Sequence, residues 1–214
     1  MADKSISFSP AMATAVLTGR KTLTRRLLAD GKPLPYAPGD TIWCRETHYR
    51  TGYWEHHYKT DQALRDNKPS WRFVGITDAS TFELPLFCSE PPQGVPRENH
   101  HVPMLYRRPA RFMFKAHARL HLYVEECYAQ RLQDAPDHDF REEGISAISK
   151  DGKRLKFGIP DRDGLPGRDN VGWSWSDWQT TPRLAFRRLW DSIHGDGAFD
   201  SNPLVSVTRF RPIF

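Results

Sequence analysis

Between Gly19 and Arg26 the chain reads Gly-Arg-Lys-Thr-Leu-Thr-Arg-Arg, which sets Lys21 and the hydroxyl of Thr24 among Arg20, Arg25 and Arg26. A threonine hydroxyl attacks a carbonyl carbon only when a neighbour takes its proton, and a lysine amine can do so only when its pKa is depressed. The three arginines crowd Lys21 with like charge, and burial in a cleft would act in the same direction, so both favour the neutral amine. Residues three apart share a face of a helical turn but point to opposite faces of a flat strand. Lys21 and Thr24 can therefore cooperate only if this block is a turn, as a helix stop at Gly19 suggests. The same residues also suit a plainer task, pairing with the free carbonyls of a helix C-terminus.

Other side chains are candidates on type alone. Trp43 can stack on a base or fill a core, and Arg45 and Glu46 follow it, Glu46 as a second carboxylate for a cleft. Glu142 and Glu143 sit on a short acidic segment and read, on spacing alone, as a solvated helix face. His48, His56, His57, His100 and His101 cluster in sequence with Cys88, but adjacent His-His pairs do not match usual zinc-ligand spacing, so no metal site is expected. Arg107, Arg108, Arg183, Arg187 and Arg188 could contact phosphate. Tyr106, Trp173, Trp175 and Trp178 could stack bases, although the Trp173–Trp178 run better suits pinning a loop onto a core.

The elements that must position these residues are short. Ile6–Phe8 reads as a strand, Ser9-Pro10 as the cap and first residue of a helix ending at Gly19, and Thr41–Thr47 as a second strand after the Pro38-Gly39-Asp40 turn. From 48 to 110 the pattern is weak, with only Trp71–Thr77 strand-like. Leu120, Leu122 and Val124 alternate with polar neighbours over 118–127, and Asp137–Glu143 is a short helix stopped by Gly144. Residues 149–172 are glycine-rich and read as a loop. Thr181-Pro182 caps an amphipathic helix whose Ala185, Phe186, Leu189, Trp190 and Ile193 share a face, and Leu204–Phe210 is a last strand. Strands mixed with a few short helices and no βαβ rhythm predict an α+β fold, a small, mostly antiparallel barrel with flanking helices, rather than a doubly wound sheet.

The 214 residues carry 31 Lys+Arg against 26 Asp+Glu, a formal charge of +5, and 12% aromatic residues, which argues against a wholly disordered chain. The excess of Arg over Lys points weakly to a nucleotide or RNA ligand, while charge alone fits an ordinary solvated basic surface better. Cys44, Cys88 and Cys127 show no C-x-x-C spacing and read as reduced thiols. With no apolar run long enough for a membrane span or a secretory signal, the expectation is a cytoplasmic protein without a membrane partner.

Several blocks in order carry a resemblance: Gly19–Arg26; Pro38-Gly39-Asp40 with Trp43-Cys44-Arg45-Glu46-Thr47; Arg131-Leu132-Gln133-Asp134 with Glu142-Glu143-Gly144-Ile145; and Leu189-Trp190-Asp191-Ser192-Ile193 with Asn202-Pro203. Together they resemble the ASCH-domain family, in particular its longer branch common in phages and prophages, over residues 5–47, 104–146 and 182–213. The resemblance implies one PUA-like β-barrel domain over 1–214, with insertions at about 48–103 and 147–181 and a cleft suited to RNA or nucleosides. Similar family members include amidohydrolases that remove the acyl group from N4-acylcytidine with a Lys, a Thr and a Glu. Carried over, these are Lys21, Thr24 and Glu143, with Glu142 the choice if the match shifts by one residue. Arg20, Arg25, Arg26, Trp43, Arg45 and Glu46 are then the expected substrate-binding residues, with no metal or cofactor. Other members bind or cleave RNA, so the alternatives are a non-catalytic RNA or modified-nucleotide binding module, or a ribonuclease in which Lys21 or a histidine activates a ribose hydroxyl.

Overall fold

The computed structural model describes residues 4–96, 100–167 and 171–213. In chain order its elements are β1 (Ser5–Ser7), α1 (Pro10–Leu17), β2 (Leu23–Leu27), β3 (Thr41–Arg45), β4 (His48–His57), α2 (Asp61–Arg65), β5 (Ser70–Gly75) and β6 (His100–Arg108). They continue with β7 (His121–Arg131), α3 (Asp137–Glu142), β8 (Ser146–Ile148), β9 (Lys156–Gly158), α4 (Pro182–His194) and β10 (Leu204–Ile213). The chain divides into two compact units, Met1–Cys44 with Arg119–Phe214, and Arg45–Ala118. The expected 48–103 insertion falls inside the second, and the 147–181 insertion inside the first.

The first unit is built on a five-stranded sheet of order β1-β3-β7-β10-β2. β10 is its spine, antiparallel to β7 from Leu204↔Arg131 to Ile213↔His121 and to β2 from Val205↔Leu27 to Arg209↔Leu23. The architecture is mixed α and β, rich in sheet with few helices. The sheet is open: among the described residues its edge strands β1 and β2 do not pair with each other.

Local chemistry starts the helices where the sequence marks them. Ser9 accepts from the Met12 amide at 3.4 Å, Pro10 opens α1, and Gly19 past its end has φ +69°. Thr181 caps α4 by accepting from the Leu184 amide at 3.2 Å. α1 packs Ala13 and Val16 against Ile42, Leu122, Val124 and Phe210, while α4 packs Phe186 and Trp190 against Leu23, Phe140, Val205 and Val207. Each such large side chain contributes about 1.5–3 kcal/mol by leaving water. The face predicted for α4 is largely buried, but Ile193 at its end stays exposed.

Two sequence expectations change. The Arg20–Arg26 block is not simply a turn, because from Leu23 onward it is strand β2. Leu23 fills the second core cluster while β10 offers a ladder partner, and tertiary pairing overrides the local charge pattern. The weakly patterned stretch after residue 48 holds a three-stranded sheet, β5-β4-β6, built around the mutually edge-on rings of Trp54, Phe73 and Tyr106. Its central strand β4 hides from periodicity because it buries His48 and Arg50 and needs Gly52, where a Cβ would sit 2.3 Å from the Phe73 ring.

Within 147–181, β8 and β9 form a hairpin, and Trp178 pins it. The indole is 2% exposed and lies over Gly158, where a Cβ would come within 2.6 Å, and its Nε1 donates to the Trp173 carbonyl at 3.1 Å. Among the described residues no helix is long and apolar enough to cross a membrane.

Candidate active site

The chain leaves α1 with the Arg20 and Lys21 amides both donating hydrogen bonds to the Ala15 carbonyl, at 2.8 and 2.9 Å, and an isolated bridge then sets Lys21 opposite Glu143. Glu143 ends α3: its amide donates to the Asp139 carbonyl at 3.1 Å, and Gly144 behind it turns the chain with φ +97°. The two side chains, each residue 3% exposed, meet as an ion pair, Lys21 Nζ donating to Glu143 Oε2 at 2.6 Å. Nζ also donates to the carbonyls of Glu143 at 3.0 Å and Leu23 at 2.9 Å, so three ammonium protons find three acceptors. Arg25 closes the other side, Nη1 donating to Glu143 Oε1 at 3.2 Å and Nη2 to Asp139 Oδ2 at 2.5 Å. Arg209 extends the cluster to Asp139 and Glu142.

Burial pulls the Lys21 pKa below the ordinary lysine value; Glu143 opposes this, and Arg26 and Arg25 add to it. Glu143 faces Lys21, whereas Glu142 lies outside on Arg209.

Lys21, Thr24, Arg26 and Glu143 line one side of a pocket of about 140 Å³, and Phe8, Trp190, Ile193 and His194 line the rest. Thr24 is buried within β2, while Lys21 lies two residues ahead of the strand and sends its side chain along the backbone to the Leu23 carbonyl. The two thus reach one pocket although their spacing is not that of a helical turn. The Thr24 hydroxyl makes no side-chain hydrogen bond among the described residues. Arg26 donates to the Ser7 carbonyl at 2.5 Å and stands 5.9 Å from the Phe8 ring. His194 stacks on Trp190 with ring centroids 4.3 Å apart, and burial with the Arg26 charge lowers its pKa.

The remaining expected substrate contacts do not join this group. Arg20 turns to Ser146 Oγ at 2.8 Å and Thr18 Oγ1 at 3.0 Å, away from the pocket. Trp43 is buried in β3, the core fate open to a strand tryptophan, and Arg45 and Glu46 belong to the Arg45–Ala118 unit; none of the three lines the pocket. Arg183, Arg187 and Arg188 are held by Asp137, Asp200 and Asp177. Tyr106 is buried. Among the described residues no group of three or more His, Cys, Asp or Glu could hold a metal ion. Trp190 and His194 went unread as pocket residues in the sequence. The amphipathic pattern of α4 marks its inner face but carries no sign of a pocket at its last turn.

Comparison with protein-family models, curated proteins and solved structures returned no match for this chain.

Proposed function

We propose that the chain is an amidohydrolase that removes the acyl group from N4-acylcytidine-type nucleosides, giving cytidine and a carboxylate. One observation carries the reading: a buried Lys21–Glu143 pair, 2.6 Å apart, shares a small pocket with the Thr24 hydroxyl. A volume of about 140 Å³ is close to that of an engineered cavity of roughly 150 Å³ that admits benzene, so it has room for a pyrimidine ring. In this reading the open sheet is the PUA-like fold of the ASCH-domain family, and the enzyme acts on nucleosides in the cytoplasm without a metal.

A proton passes from the Lys21 ammonium to the Glu143 carboxylate, leaving a neutral amine beside a neutral acid, which burial favours over two charges. The amine takes the Thr24 proton as Oγ1 bonds to the acyl carbon, and the carbonyl electron pair moves to oxygen, where Arg26 offers positive charge. The oxyanion collapses, the C–N4 bond breaks, and Glu143 gives its proton to N4, releasing cytidine. Glu143, now ionised, deprotonates a water that attacks the acyl-Thr24 ester. The C–Oγ1 bond breaks as Lys21 returns a proton to Oγ1, the carboxylic acid departs and gives its own proton to solvent, and Glu143 gives its proton back to Lys21.

Incubation with N4-acetylcytidine tests this. Cytidine is released by the native protein, while Lys21→Ala, Thr24→Ala and Glu143→Ala each abolish release. Full activity in Thr24→Ala would replace the covalent step by attack of a Lys21-activated water. Retention of a structured RNA with no cytidine release would instead favour the binding module.

A further inference from the structure

The Arg45–Ala118 unit holds a cavity of about 450 Å³ lined by Arg50, Phe73, Arg108, Arg111, Phe112 and Phe114, within the range of roughly 300–1,000 Å³ typical of ligand pockets. Its cations alternate with rings. The Arg108 guanidinium lies 4.3 Å from the Phe73 centroid, 4.7 Å from that of Phe112 and 5.1 Å from that of Trp54, and Arg111 lies 4.9 Å from Phe112. Arg50, Arg108 and Arg111 form no ion pair with any described carboxylate. This differs from the first unit, where Arg25, Arg183, Arg187, Arg188 and Arg209 are each bound to acids.

Arg50 is 9% exposed; one terminal nitrogen donates to the Thr77 carbonyl, and its Nε has no partner. Gly75 makes room for it, because a Cβ there would stand 2.7 Å from Arg50 Nη2. Burial, with Arg50 nearby, lowers the pKa of Arg108 to about 10. Nearby, His48 has its Nδ1 on the Glu46 carbonyl and its buried Nε2 unpaired, and His117 is a further titratable group whose pKa burial and Arg50 lower while Asp78 opposes. Unneutralised arginines held together repel one another, and a bound anion relieves that repulsion.

We propose that this pocket binds a nucleotide, its phosphate on Arg50, Arg108 and Arg111 and its base stacked on Phe114. Guanidinium forks match phosphate oxygens in bidentate geometry, and Phe114, 64% exposed on the pocket wall and tilted against His117 with ring centroids 6.1 Å apart, offers an exposed ring for a base. The same chemistry is presented by a free nucleotide and by a phosphodiester of single-stranded RNA. The site is separate from the Lys21 pocket and does not depend on its activity.

Adenosine 5′-monophosphate is the probe, because it carries a phosphate and a large stacking base but no acyl group for the first unit to remove. Calorimetric titration of the full chain should give saturable binding with this nucleotide and none with adenosine at the same concentrations. Arg111→Ala and Phe114→Ala, both at exposed positions, should each weaken binding about tenfold and leave cytidine release from N4-acetylcytidine unchanged. A short oligoadenylate lacking terminal phosphate that binds more tightly than the mononucleotide assigns the site to a strand; weaker binding assigns it to a free nucleotide. Inorganic phosphate binding as tightly as the nucleotide overturns the stacking, and nucleotide binding that ignores both substitutions, or no better than that of adenosine, overturns the site.

Discussion

Replacing Glu143 by glutamine removes the negative charge that faces both Lys21, at 2.6 Å, and Arg25, at 3.2 Å. Taking one partner from a buried ion pair costs about 3–5 kcal/mol, mostly because the remaining charge is left without compensation. The glutamine oxygen still accepts a hydrogen bond from Nζ, and Asp139 still holds Arg25 at 2.5 Å, so the lower end, about 3 kcal/mol at pH 7, is expected. The loss should also depend on pH. Burial already places the folded-state pKa of Lys21 below its ordinary value of 10.5, and Glu143 is the group that opposes this. Without it the folded-state pKa drops further while the unfolded one does not move. Between those two values the unfolded chain binds more protons than the folded one, so stability rises with pH across the window, by up to about 1.4 kcal/mol per pH unit. The window opens at lower pH in Glu143→Gln than in the native protein. Urea unfolding followed by circular dichroism at pH 7, 8 and 9 should therefore show the difference between the two shrinking as pH rises. The double variant Lys21→Met/Glu143→Gln should lose less than the sum of the single losses by about 2 kcal/mol. A pH-independent difference, or one below about 1 kcal/mol at pH 7, refutes the reasoning that a charged lysine is stranded.

Trp178→Ala should cost about 3–5 kcal/mol in urea unfolding, because it removes a large indole buried over Gly158; a loss under 1 kcal/mol would mean the hairpin is not pinned there. Gly144→Ala forces a side chain into φ +97° and sets its Cβ 3.2 Å from that of Ala15, so it should destabilise by about 1–2 kcal/mol and reduce cytidine release by shifting Glu143; unchanged turnover would separate the turn from the site. His48, buried and beside Arg108 and Arg50, has its pKa held below the ordinary 6.5. As pH falls from that value toward the folded one the unfolded chain takes up the proton first, so the Arg45–Ala118 sheet should lose stability. Hydrogen exchange of β4 amides at pH 7 and pH 5 should show this loss, and His48→Gln should abolish the difference.

What was legible in the sequence was local. Ser9-Pro10 and Thr181-Pro182 announced α1 and α4 because a cap hydroxyl and a leading proline act within one turn, and Gly144 announced the end of α3 because only glycine takes its backbone angles easily. β2 and β4 were missed because what holds them is a partner strand and a buried neighbour, not a pattern of their own. The site divides the same way. Lys21 and Glu143 are 122 residues apart, so no spacing joins them, and only the resemblance brought Glu143 forward. The structure brings Lys21, Thr24, Arg25, Arg26 and Glu143 together but leaves out Arg20, Trp43, Arg45 and Glu46, whose nearness in sequence to the motif says nothing of which way each side chain faces. His194 carried no signal, since a histidine in the last turn of a helix is equally a dipole partner.

The first unit is interrupted between Cys44 and Arg119, yet its two severed ends are already tied. The Cys44 amide donates to the Leu120 carbonyl at 2.9 Å, and Thr41–Trp43 pair with His121–Tyr123. The entropy of closing a loop grows only with the logarithm of its length, about 0.6 kcal/mol for each doubling. The length of chain between the two ends therefore matters little to the first unit, and the register of β3 on β7 does not depend on it. The seam works as a graft point: whatever lies between Cys44 and Arg119, the pairing of β3 on β7 closes the first unit behind it.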